Sequence, residues 1–356
     1  MSHTILTEQQ QEILALATLA YCANSPQAIM YALLKPQEGG VEAADLVREI
    51  RYLLAERISL SAVQHKYVER ILRYHQYDKE DEAYKAFAQV LLRWVKRMKK
   101  IENLDSSELW IYLTQNNEYS IITPSSPYWP WQLEDLDQIL GNTPPLCLWV
   151  KGDPQALTSC SSPVGIVGSR DCNEYGKTTA FNCGRDAALH GHCVISGGAM
   201  GADSAAHWGA LSAFQDLGNN AGRTIAIFAG GLDTCGPHRN ARLFQTIENH
   251  HGALISELPP DTLPESFRFL MRNRLIAALS RTLIVAQARH RSGALNTATW
   301  AADLNRMVYA APGDNIKPYN TGCNGLIAQG KASLLLTSTD LSDICHEPHD
   351  PLINHD

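Results

Sequence analysis

A glycine-rich turn after a short apolar strand is the first place in this sequence where ligand chemistry is expected. Residues 194–203 read Val-Ile-Ser-Gly-Gly-Ala-Met-Gly-Ala-Asp, and an alanine-rich helical stretch follows. Glycine lets the backbone approach a ligand closely, and the free N–H groups and dipole at the start of a helix favour an anion. The turn therefore predicts a phosphate-binding loop at Ser196, Gly197, Gly198 and Gly201. The alternative is a turn that only packs the strand against the helix.

The residues around this turn disfavour two common kinds of nucleotide enzyme. The spacing is not that of a P-loop, no lysine follows the last glycine, and no obvious carboxylate pair for Mg²⁺ is present. An acidic residue is also missing at a convincing distance after a G-x-G-x-x-G, which disfavours a redox dinucleotide. We therefore expect no cofactor and no metal.

Glycine and arginine residues also follow other short apolar segments. The carboxyl ends of parallel strands form the ligand edge of an open α/β sheet, so these residues are expected to meet there. Arginine presents a planar fork of donors that matches phosphate oxygens. The edge therefore predicts a phosphate-bearing ligand, and a polymer of phosphates is one candidate. Its residues are Gly168, Ser169, Arg170, Gly230, Gly231, Asp233, Arg289, Arg291, Ser292, Gly293 and Gly313.

Strand and helix patterns alternate about six times between residues 163 and 310. The strands are too short and too apolar for a half-exposed sheet, which predicts an α/β fold with a doubly wound, parallel sheet and helices on both faces. Strands are expected at residues 164–168, 192–196, 224–228, 253–256, 282–286 and 307–310, and helices at 175–190, 199–214, 240–249, 272–279 and 293–304.

The chain before this pattern divides into two parts. Apolar residues at helical spacing predict helices at 8–23, 41–57, 63–74 and 83–98, and hence a small all-helical domain over residues 1–118. Residues 119–155 are rich in proline and aromatic residues, which predicts a connector that packs on the next domain and contains a strand at 146–150. A Rossmann-like domain is expected over 156–340, followed by an acidic tail over 341–356.

A basic cluster ends the last of these predicted helices. Lys96, Arg97, Lys99 and Lys100 stand close together there. The cluster could meet phosphates, or it could be a solvated helix end that complements its own dipole.

The composition is that of an ordinary globular protein with reduced thiols. The chain has 356 residues, a formal net charge of −7 and nine cysteines. The lack of a C-x-x-C pair and of a signal peptide predicts a cytoplasmic location. The charge argues against a uniformly basic coat for nucleic acid but allows a local basic groove. No apolar run approaches about 18 residues, which predicts no membrane span.

The motifs at the sheet edge resemble, in their order and over about residues 163–335, those of the DNA-processing protein A (DprA/Smf) family. No single motif is specific, but together they are. The matching residues are Gly168-Ser169-Arg170 with Tyr175-Gly176, residues 196–203 with Ala206-His207, Gly231-Leu232-Asp233 with Pro237 and Asn240, residues 272–280, Ser292-Gly293-Ala294-Leu295 with Thr297-Ala298, Pro312-Gly313, and residues 322–327.

The resemblance implies an extended Rossmann-like domain that binds single-stranded DNA, forms a homodimer and helps load the RecA recombinase during natural transformation or DNA processing. It implies a recombination mediator without catalysis. The residues carried over as DNA-binding are Gly168, Ser169, Arg170, Ser196, Gly197, Gly198, Gly201, Asn273, Arg274, Ser292 and Gly293, with Arg170 expected to grip a phosphate.

This sequence departs from the family pattern at three positions and at its end. Met200 stands where a basic residue is frequent, Gln287 where Glu is usual, and Gly236 where Tyr is usual. The first weakens the expected charge of the groove, and the other two affect the fine geometry of the pocket. Many members end in a winged-helix domain, which is not expected after Asp356.

Two other functions stay open beside DNA binding. Asp203 and His207 stand at i and i+4, where they could form a carboxylate–imidazole base in a nucleotide-hydrolysing or nucleotide-transferring enzyme. A helix-terminal Asp and a packing His are the alternative for this pair. A sensor of a free nucleotide is the third function. The apolar stretch at residues 323–336 is the candidate dimer surface, because it is too apolar for a free sheet edge.

Overall fold

The computed structural model describes residues 6–35, 39–74, 80–139 and 142–353. The chain forms two compact units. The first contains residues Met1–Ser125, Asp137–Trp149 and Glu257–Pro260, and the second contains Ser126–Leu136, Val150–Ser256 and Asp261–Asp356. Residues 140 and 141 of the predicted connector and residues 354–356 of the predicted tail lie outside the described residues.

The first unit is built from helices whose apolar stripes meet in one core. Thr7 and Asp105 begin their helices with capping boxes. The side chain of each accepts from the backbone N–H of the third helical residue, whose side chain accepts from the backbone N–H of Thr7 or Asp105 in return. The first helix packs against the third and the fifth, and Leu19, Ile50 and Phe87 are fully buried there. The helices are α1 (Glu8–Ala23), α2 (Ala28–Leu34), α3 (Ala43–Leu54), α4 (Leu60–Tyr74), α5 (Glu80–Met98) and α6 (Ser106–Leu113).

The proline- and aromatic-rich stretch is held by buried tryptophans. Trp149 lies in the strand β2 (Leu148–Gly152), is fully buried, and donates from Nε1 to the carbonyl of Leu113 at 3.0 Å. Trp129 is also buried and donates to Glu134 at 3.0 Å, whereas Trp131 is 67% exposed. Two of the three indoles therefore serve packing and are not available to stack on a base. A short strand, β1 (Ser120–Ile122), precedes them.

The second unit contains the parallel sheet. Along the described chain its remaining strands lie in the order β6-β5-β4-β3-β7-β8-β9, and each adjacent pair is parallel. The strands are β3 (Val164–Gly168), β4 (Val194–Ser196), β5 (Thr224–Ile227), β6 (Ala253–Ser256), β7 (Thr282–Gln287), β8 (Met307–Ala310) and β9 (Ser333–Leu334). The α/β fold with a preceding helical region is thus confirmed.

Helices connect these strands, and the order of the strands reverses between β3 and β7. Crevices outside the carboxyl ends of the strands at such a reversal are where open α/β sheets bind ligands. The helices are α7 (Glu174–Leu189), α8 (Ala202–Ser212), α9 (Phe214–Leu217), α10 (Ala241–Asn249), α11 (Ser266–Leu279), α12 (Gly293–Asp303) and α13 (Thr321–Ala328).

Several helices differ from their predicted bounds by two to six residues, and for α8 and α11 the local reason is clear. Helix α8 begins at Ala202 instead of residue 199, because Gly198 and Gly201 adopt left-handed φ angles of 67° and 84° that interrupt a helix. Helix α11 begins at Ser266, six residues before its predicted start. Phe267 and Leu270 are about half exposed, so the first turns of α11 lack the buried stripe on which the prediction depended.

The stretch predicted as an acidic tail packs onto the second unit. Leu341 and Cys345 lie in the same apolar core as Val164 and Ile284. The backbone N–H of Leu341 donates to Asp186 at 2.7 Å, and that of Leu352 donates to the carbonyl of Ser159 at 2.8 Å. The acidic side chains are therefore attached to a segment that is anchored by apolar burial.

Candidate functional site

A cleft of about 660 Å³ opens at the carboxyl edge of the sheet, where the strand order reverses. Four segments form its walls: the turn after β3, the turn between β4 and α8, the exposed side of α11, and the loop from β7 into α12. Basic side chains outnumber acidic ones along it. The charged and polar residues of the walls are Ser169, Arg170, Asp171, Asp203, Ser266, Arg272, Asn273, Arg289, His290, Arg291, Ser292 and Thr297.

Arg170 lies at the mouth of the cleft with its guanidinium exposed to solvent. The guanidinium carbon is 4.5 Å from the ring centroid of Phe269 on α11. Among the described residues no carboxylate is within ion-pair distance of Arg170. A cation that stacks on an aromatic face keeps the edge of its fork free for hydrogen bonds, so Arg170 can present donors to a phosphate.

The glycine loop joins the turns after β3 and β4 by close backbone contact. A Cβ at Gly201 would lie 2.4 Å from the carbonyl oxygen of Ser169, and Gly201 has a φ of 84°. The N–H of Ala202 donates to the same carbonyl at 3.3 Å. Only glycine fits this contact, which fixes the position of the turn that carries Arg170.

A buried carboxylate occupies the start of α8. Asp203 is 7% exposed and accepts a hydrogen bond from the N–H of Ala199 at 3.4 Å. Burial raises the pKa of Asp203, and the nearby positive charge of Arg272 opposes that rise. The first turn of this helix therefore already holds a carboxyl group of the chain. A ligand phosphate would share the backbone N–H groups of this terminus with Asp203.

Arg272 crosses beneath the glycine loop. A Cβ at Gly197 would lie 2.0 Å from Nη1 of Arg272, so this glycine makes room for the guanidinium. Nη1 donates to the carbonyl of Ile227 at 2.5 Å. Burial lowers the pKa of Arg272 to about 10, and Asp203 partly restores it. Arg272 remains a cation at neutral pH and supplies positive potential to the floor of the cleft.

Asn273 and Ser292 organise the opposite wall. The side-chain amide of Asn273 donates to the carbonyl of Gly293 at 3.3 Å and to Oδ1 of Asn296 at 3.2 Å. The hydroxyl of Ser292 accepts from the N–H of Ala294 at 3.3 Å and caps α12. These contacts hold the first turn of α12 against α11 where both line the cleft.

The predicted DNA-binding residues thus divide into two groups. Six line the cleft, and the other five lie below or beside it. Ser196 is fully buried and donates to the carbonyl of Ile166 at 2.6 Å, and Arg274 is 2% exposed. Gly197, Gly198 and Gly201 shape the loop. The six that line the cleft are Gly168, Ser169, Arg170, Asn273, Ser292 and Gly293.

A basic rim follows β7, and its residues are not among the predicted DNA-binding residues. Arg289, His290 and Arg291 line the cleft and are exposed. The guanidinium of Arg289 lies 4.8 Å from the ring centroid of Tyr319, and Arg291 has a left-handed φ of 64°. Asp171 approaches Arg289 at 4.0 Å but is almost fully exposed, so this pair contributes little. The two arginines at a strand end were the signal in the sequence.

A smaller apolar pocket of about 280 Å³ adjoins the cleft and shares Arg170, Ala199 and Phe269 with it. Met200 lines this pocket and is 38% exposed. The residue that replaces the family's basic side chain thus adds an apolar contact instead of a charge. Gly236 and Pro237 close the pocket on another side.

Gln287, the second departure from the family pattern, is satisfied by neutral partners. Its amide nitrogen donates at 2.9 Å to both Asn173 and Asn320, and its oxygen accepts from the N–H of Asn173 at 3.0 Å. Gln287 is fully buried beneath the turn after β3. A neutral amide therefore supports this part of the site without burying a charge.

Asp203 and His207 do not form a base in the cleft. His207 is fully buried, is absent from the lining of the cleft, and its Nδ1 lies 2.7 Å from the hydroxyl of Thr224. Burial lowers the pKa of His207 to about 3. The imidazole is therefore neutral and out of reach of a ligand, which favours the packing alternative for this pair.

Two general properties concern the whole described chain. The nine cysteines are free thiols, and eight are buried. Within the described residues no helix is long and apolar enough to cross a membrane, and no group of His, Cys, Asp and Glu residues is arranged to hold a metal ion.

Comparison with known proteins identifies one family for this chain. The family model described as DNA recombination-mediator protein A matches residues 120–347. A relative from Mycobacterium tuberculosis is 38% identical over 197 residues, which are 55% of this chain and 48% of the relative. The chain therefore spans about half the length of that relative.

The solved structures that resemble the fold include two DNA processing proteins. DNA processing protein A from Streptococcus pneumoniae superposes with a TM-score of 0.60 and 30% identity, over 73% of this chain and 86% of that one. DNA processing protein A from Helicobacter pylori superposes with a TM-score of 0.53 and 28% identity, over 62% of this chain and 92% of that one. The Helicobacter protein has been described for its mode of binding single-stranded DNA.

Proposed function

This chain belongs to the DNA recombination-mediator protein A family, and on that premise we propose that it binds single-stranded DNA in the cleft between β3, α11 and α12. In this role it protects the strand and mediates recombination, and it catalyses no reaction itself. The observation that carries the proposal is the exposed Arg170 fork stacked on Phe269 at the mouth of a cleft with three further arginines. The binding of single-stranded DNA by the Helicobacter relative supports it.

The chemistry of the cleft suits a single strand better than a duplex. Exposed arginines contact phosphates without regard to sequence, and an aromatic ring such as Phe269 gives an unpaired base a face to stack on. A base in a duplex has its faces covered by its neighbours. Weak base preference and strong salt dependence are therefore expected.

Fluorescence anisotropy with a labelled single strand and the duplex of the same length tests this proposal at matched salt. The single strand is expected to bind more tightly, and its affinity to fall as salt rises because phosphate contacts release counterions. Equal or tighter binding to the duplex would contradict the proposal. A panel of free nucleotides in the same assay would reveal a nucleotide sensor by competition at low concentration.

We further propose that the protein acts as a homodimer and helps load a RecA recombinase, as the family resemblance implies. The dimer surface is placed at residues 323–336, which include the edge strand β9. Leu334 and Leu336 are 42% and 76% exposed there, which is unusual for an edge strand that faces only water. Two clefts on one strand make the second contact intramolecular.

An oligonucleotide length series combined with light scattering tests the dimer. The affinity is expected to rise in a step once one strand can reach both clefts, and the Leu334→Lys/Leu336→Lys variant is expected to be a monomer without that step. A dimeric variant, or a wild-type monomer whose affinity grows smoothly with length, would show that this surface or the two-site arrangement is wrong.

A further inference from the structure

Four exposed cations lie together at the carboxyl end of α5, in the first unit. Arg93 and Lys96 are on the helix, and Lys99 and Lys100 are in the 3₁₀ turn that follows. We call these four residues the α5 basic surface. The matched region of the family begins at residue 120, so this surface lies outside it.

Arg97 shows what a cation with a packing role looks like in the same segment. Its Nε donates to the carbonyl of Tyr21 at 2.5 Å, and its guanidinium lies 4.5 Å from the centroid of that ring. Arg97 is therefore fixed against α1. The four residues of the α5 basic surface make no such contact in the described structure and extend into solvent.

No described carboxylate forms an ion pair with the α5 basic surface. The acidic residues of α5 are confined to its first turn, where Glu80, Asp81 and Glu82 lie. From Glu82 to Arg93 the helix rises by roughly 16 Å, at about 1.5 Å per residue, which exceeds the screening length at physiological salt. Glu102, two residues after Lys100, is exposed and forms no described ion pair with these four cations, so it offsets only part of the positive charge at the end of the helix.

The helix dipole explains only part of this charge. The carboxyl end of a helix carries about half a negative elementary charge, whereas the surface presents four positive charges. Lys96 is three or four residues from each of Arg93, Lys99 and Lys100, and like charges at these spacings repel one another. A bound polyanion would relieve that repulsion.

We propose that the α5 basic surface is a second contact for single-stranded nucleic acid, which holds phosphates by charge alone. Flexible lysines without a stacking partner suit a backbone contact without sequence preference. The inference rests on the proposed function for the nature of the ligand, but it does not depend on any residue of the cleft.

The packing of α5 argues against a membrane as the partner. A helix that binds a bilayer surface needs an exposed apolar face. The apolar face of α5 is buried in the first unit through Phe87, Leu91 and Trp94, and on the exposed side only Leu92 is a large apolar residue, at 58% exposure. The α5 basic surface therefore suits a phosphate-bearing polyanion better than a membrane.

The test removes three of the charges in the full-length protein. In Lys96→Gln/Lys99→Gln/Lys100→Gln the helix-forming tendency is kept, because Gln and Lys have similar propensities. The matched control is Arg48→Gln/Lys66→Gln/Arg73→Gln, which loses the same charge from the same unit at cations that have acidic partners. The measurement is the salt dependence of affinity for a long oligothymidine.

For the long strand, the slope of log affinity against log salt is expected to become shallower by about 2 in the triple variant, since each contact with a single strand contributes about 0.7 to its magnitude. The control is expected to keep the wild-type slope. If the triple variant fails to fold, Lys99→Gln/Lys100→Gln alters only the turn, and a fall of about 1.4 is expected. A slope equal to that of the control would overturn the proposal.

Two further results separate this proposal from the cleft and from a membrane. If Arg170→Ala weakens binding while the triple variant matches its control, the cleft stands and the α5 basic surface is wrong. If the triple variant loses slope while Arg170→Ala binds normally, the surface stands and the cleft is wrong. Tighter binding of wild type to anionic lipid vesicles than to the oligonucleotide, lost in the triple variant, would assign the surface to a membrane.

Discussion

The guanidinium of Arg170 lies 4.5 Å from the centre of the Phe269 ring, and so links the turn after β3 to the first turns of α11. The two residues are 99 positions apart in the sequence. Stacking orients the arginine without occupying its donors, because the ring attracts the face of the guanidinium and leaves the edge free. The contact therefore orients the donors of Arg170 for a phosphate before any ligand is bound.

Replacing Arg170 by alanine is expected to weaken binding of single-stranded DNA by about 1.5–3 kcal/mol, the usual size of a hydrogen bond to a charged group. The melting temperature should stay close to wild type, because the described structure gives Arg170 no ion pair. Anisotropy and thermal melting check the two effects. Arg281→Ala is the control, since Arg281 is an exposed arginine before β7, at the opposite edge of the sheet. A mutant that melts earlier but binds normally when folded would make Arg170 structural.

Phe269→Leu tests the aromatic half of the contact. The substitution keeps an apolar side chain but removes the stacking face for Arg170 and for a base. Binding of single-stranded DNA is expected to weaken by about 1–3 kcal/mol, as for other aromatic platforms. Phe267→Leu is the matched control on the same helix, because Phe267 is half exposed and is not among the residues that line the cleft. Equal losses in both variants would remove Phe269 from the site.

Gly201→Ala should disturb the loop that places Arg170. The φ of 84° and the carbonyl of Ser169 at 2.4 Å from the new Cβ predict a loss of about 1–3 kcal/mol in the free energy of unfolding. Urea denaturation measures this loss. Gly293→Ala is the comparison, since its Cβ would meet no atom within 4 Å and it begins a helix. If Gly201→Ala were as stable as Gly293→Ala, the loop would be less constrained than its geometry indicates.

Stability is expected to fall as the pH drops below about 6.5, the ordinary pKa of histidine. Burial lowers the pKa of His207 to about 3 and that of His192 to about 4. Between these pKa values and 6.5 the histidines bind protons in the unfolded chain but not in the folded chain. Each histidine therefore lowers the free energy of unfolding by up to about 1.4 kcal/mol per pH unit. Urea denaturation at pH 7.5, 6.5 and 5.5 measures the slope, and His192→Asn should reduce it. A stability that does not change over this range would contradict the burial of both rings in neutral form.

The sequence predicted the sheet well because parallel strands are buried on both faces. Residues 164–168, 253–256 and 307–310 were expected as strands and are β3, β6 and β8. Strand β9 was missed because two exposed residues leave no pattern. Helix α1 was expected at its observed bounds, since apolar residues dominate from Ile13 to Ala23 and Thr7 caps its polar first turn.

The site was predicted only in part, because the sequence does not show which of two neighbouring residues is buried and which one lines the cleft. Arg170 and Asn273 line the cleft as expected, but the neighbouring Arg274 points away and is buried. Successive residues on a helix lie on different faces, and the start of α11 had to be known to decide which one meets the cleft. Phe269 was missed for the same reason, as it belongs to the turns of α11 that the sequence pattern did not indicate.

The most direct test of the central claim is a hydrogen-exchange footprint of the full-length protein with and without an oligothymidine, with the duplex of the same length as the comparison. Saturating single strand is expected to slow amide exchange in residues 168–171, 266–273 and 289–294, and Arg170→Ala should need more DNA to reach the same protection. Saturating DNA that protects none of these three segments, or a duplex that protects them equally well, would contradict the assignment of the cleft to single-stranded DNA.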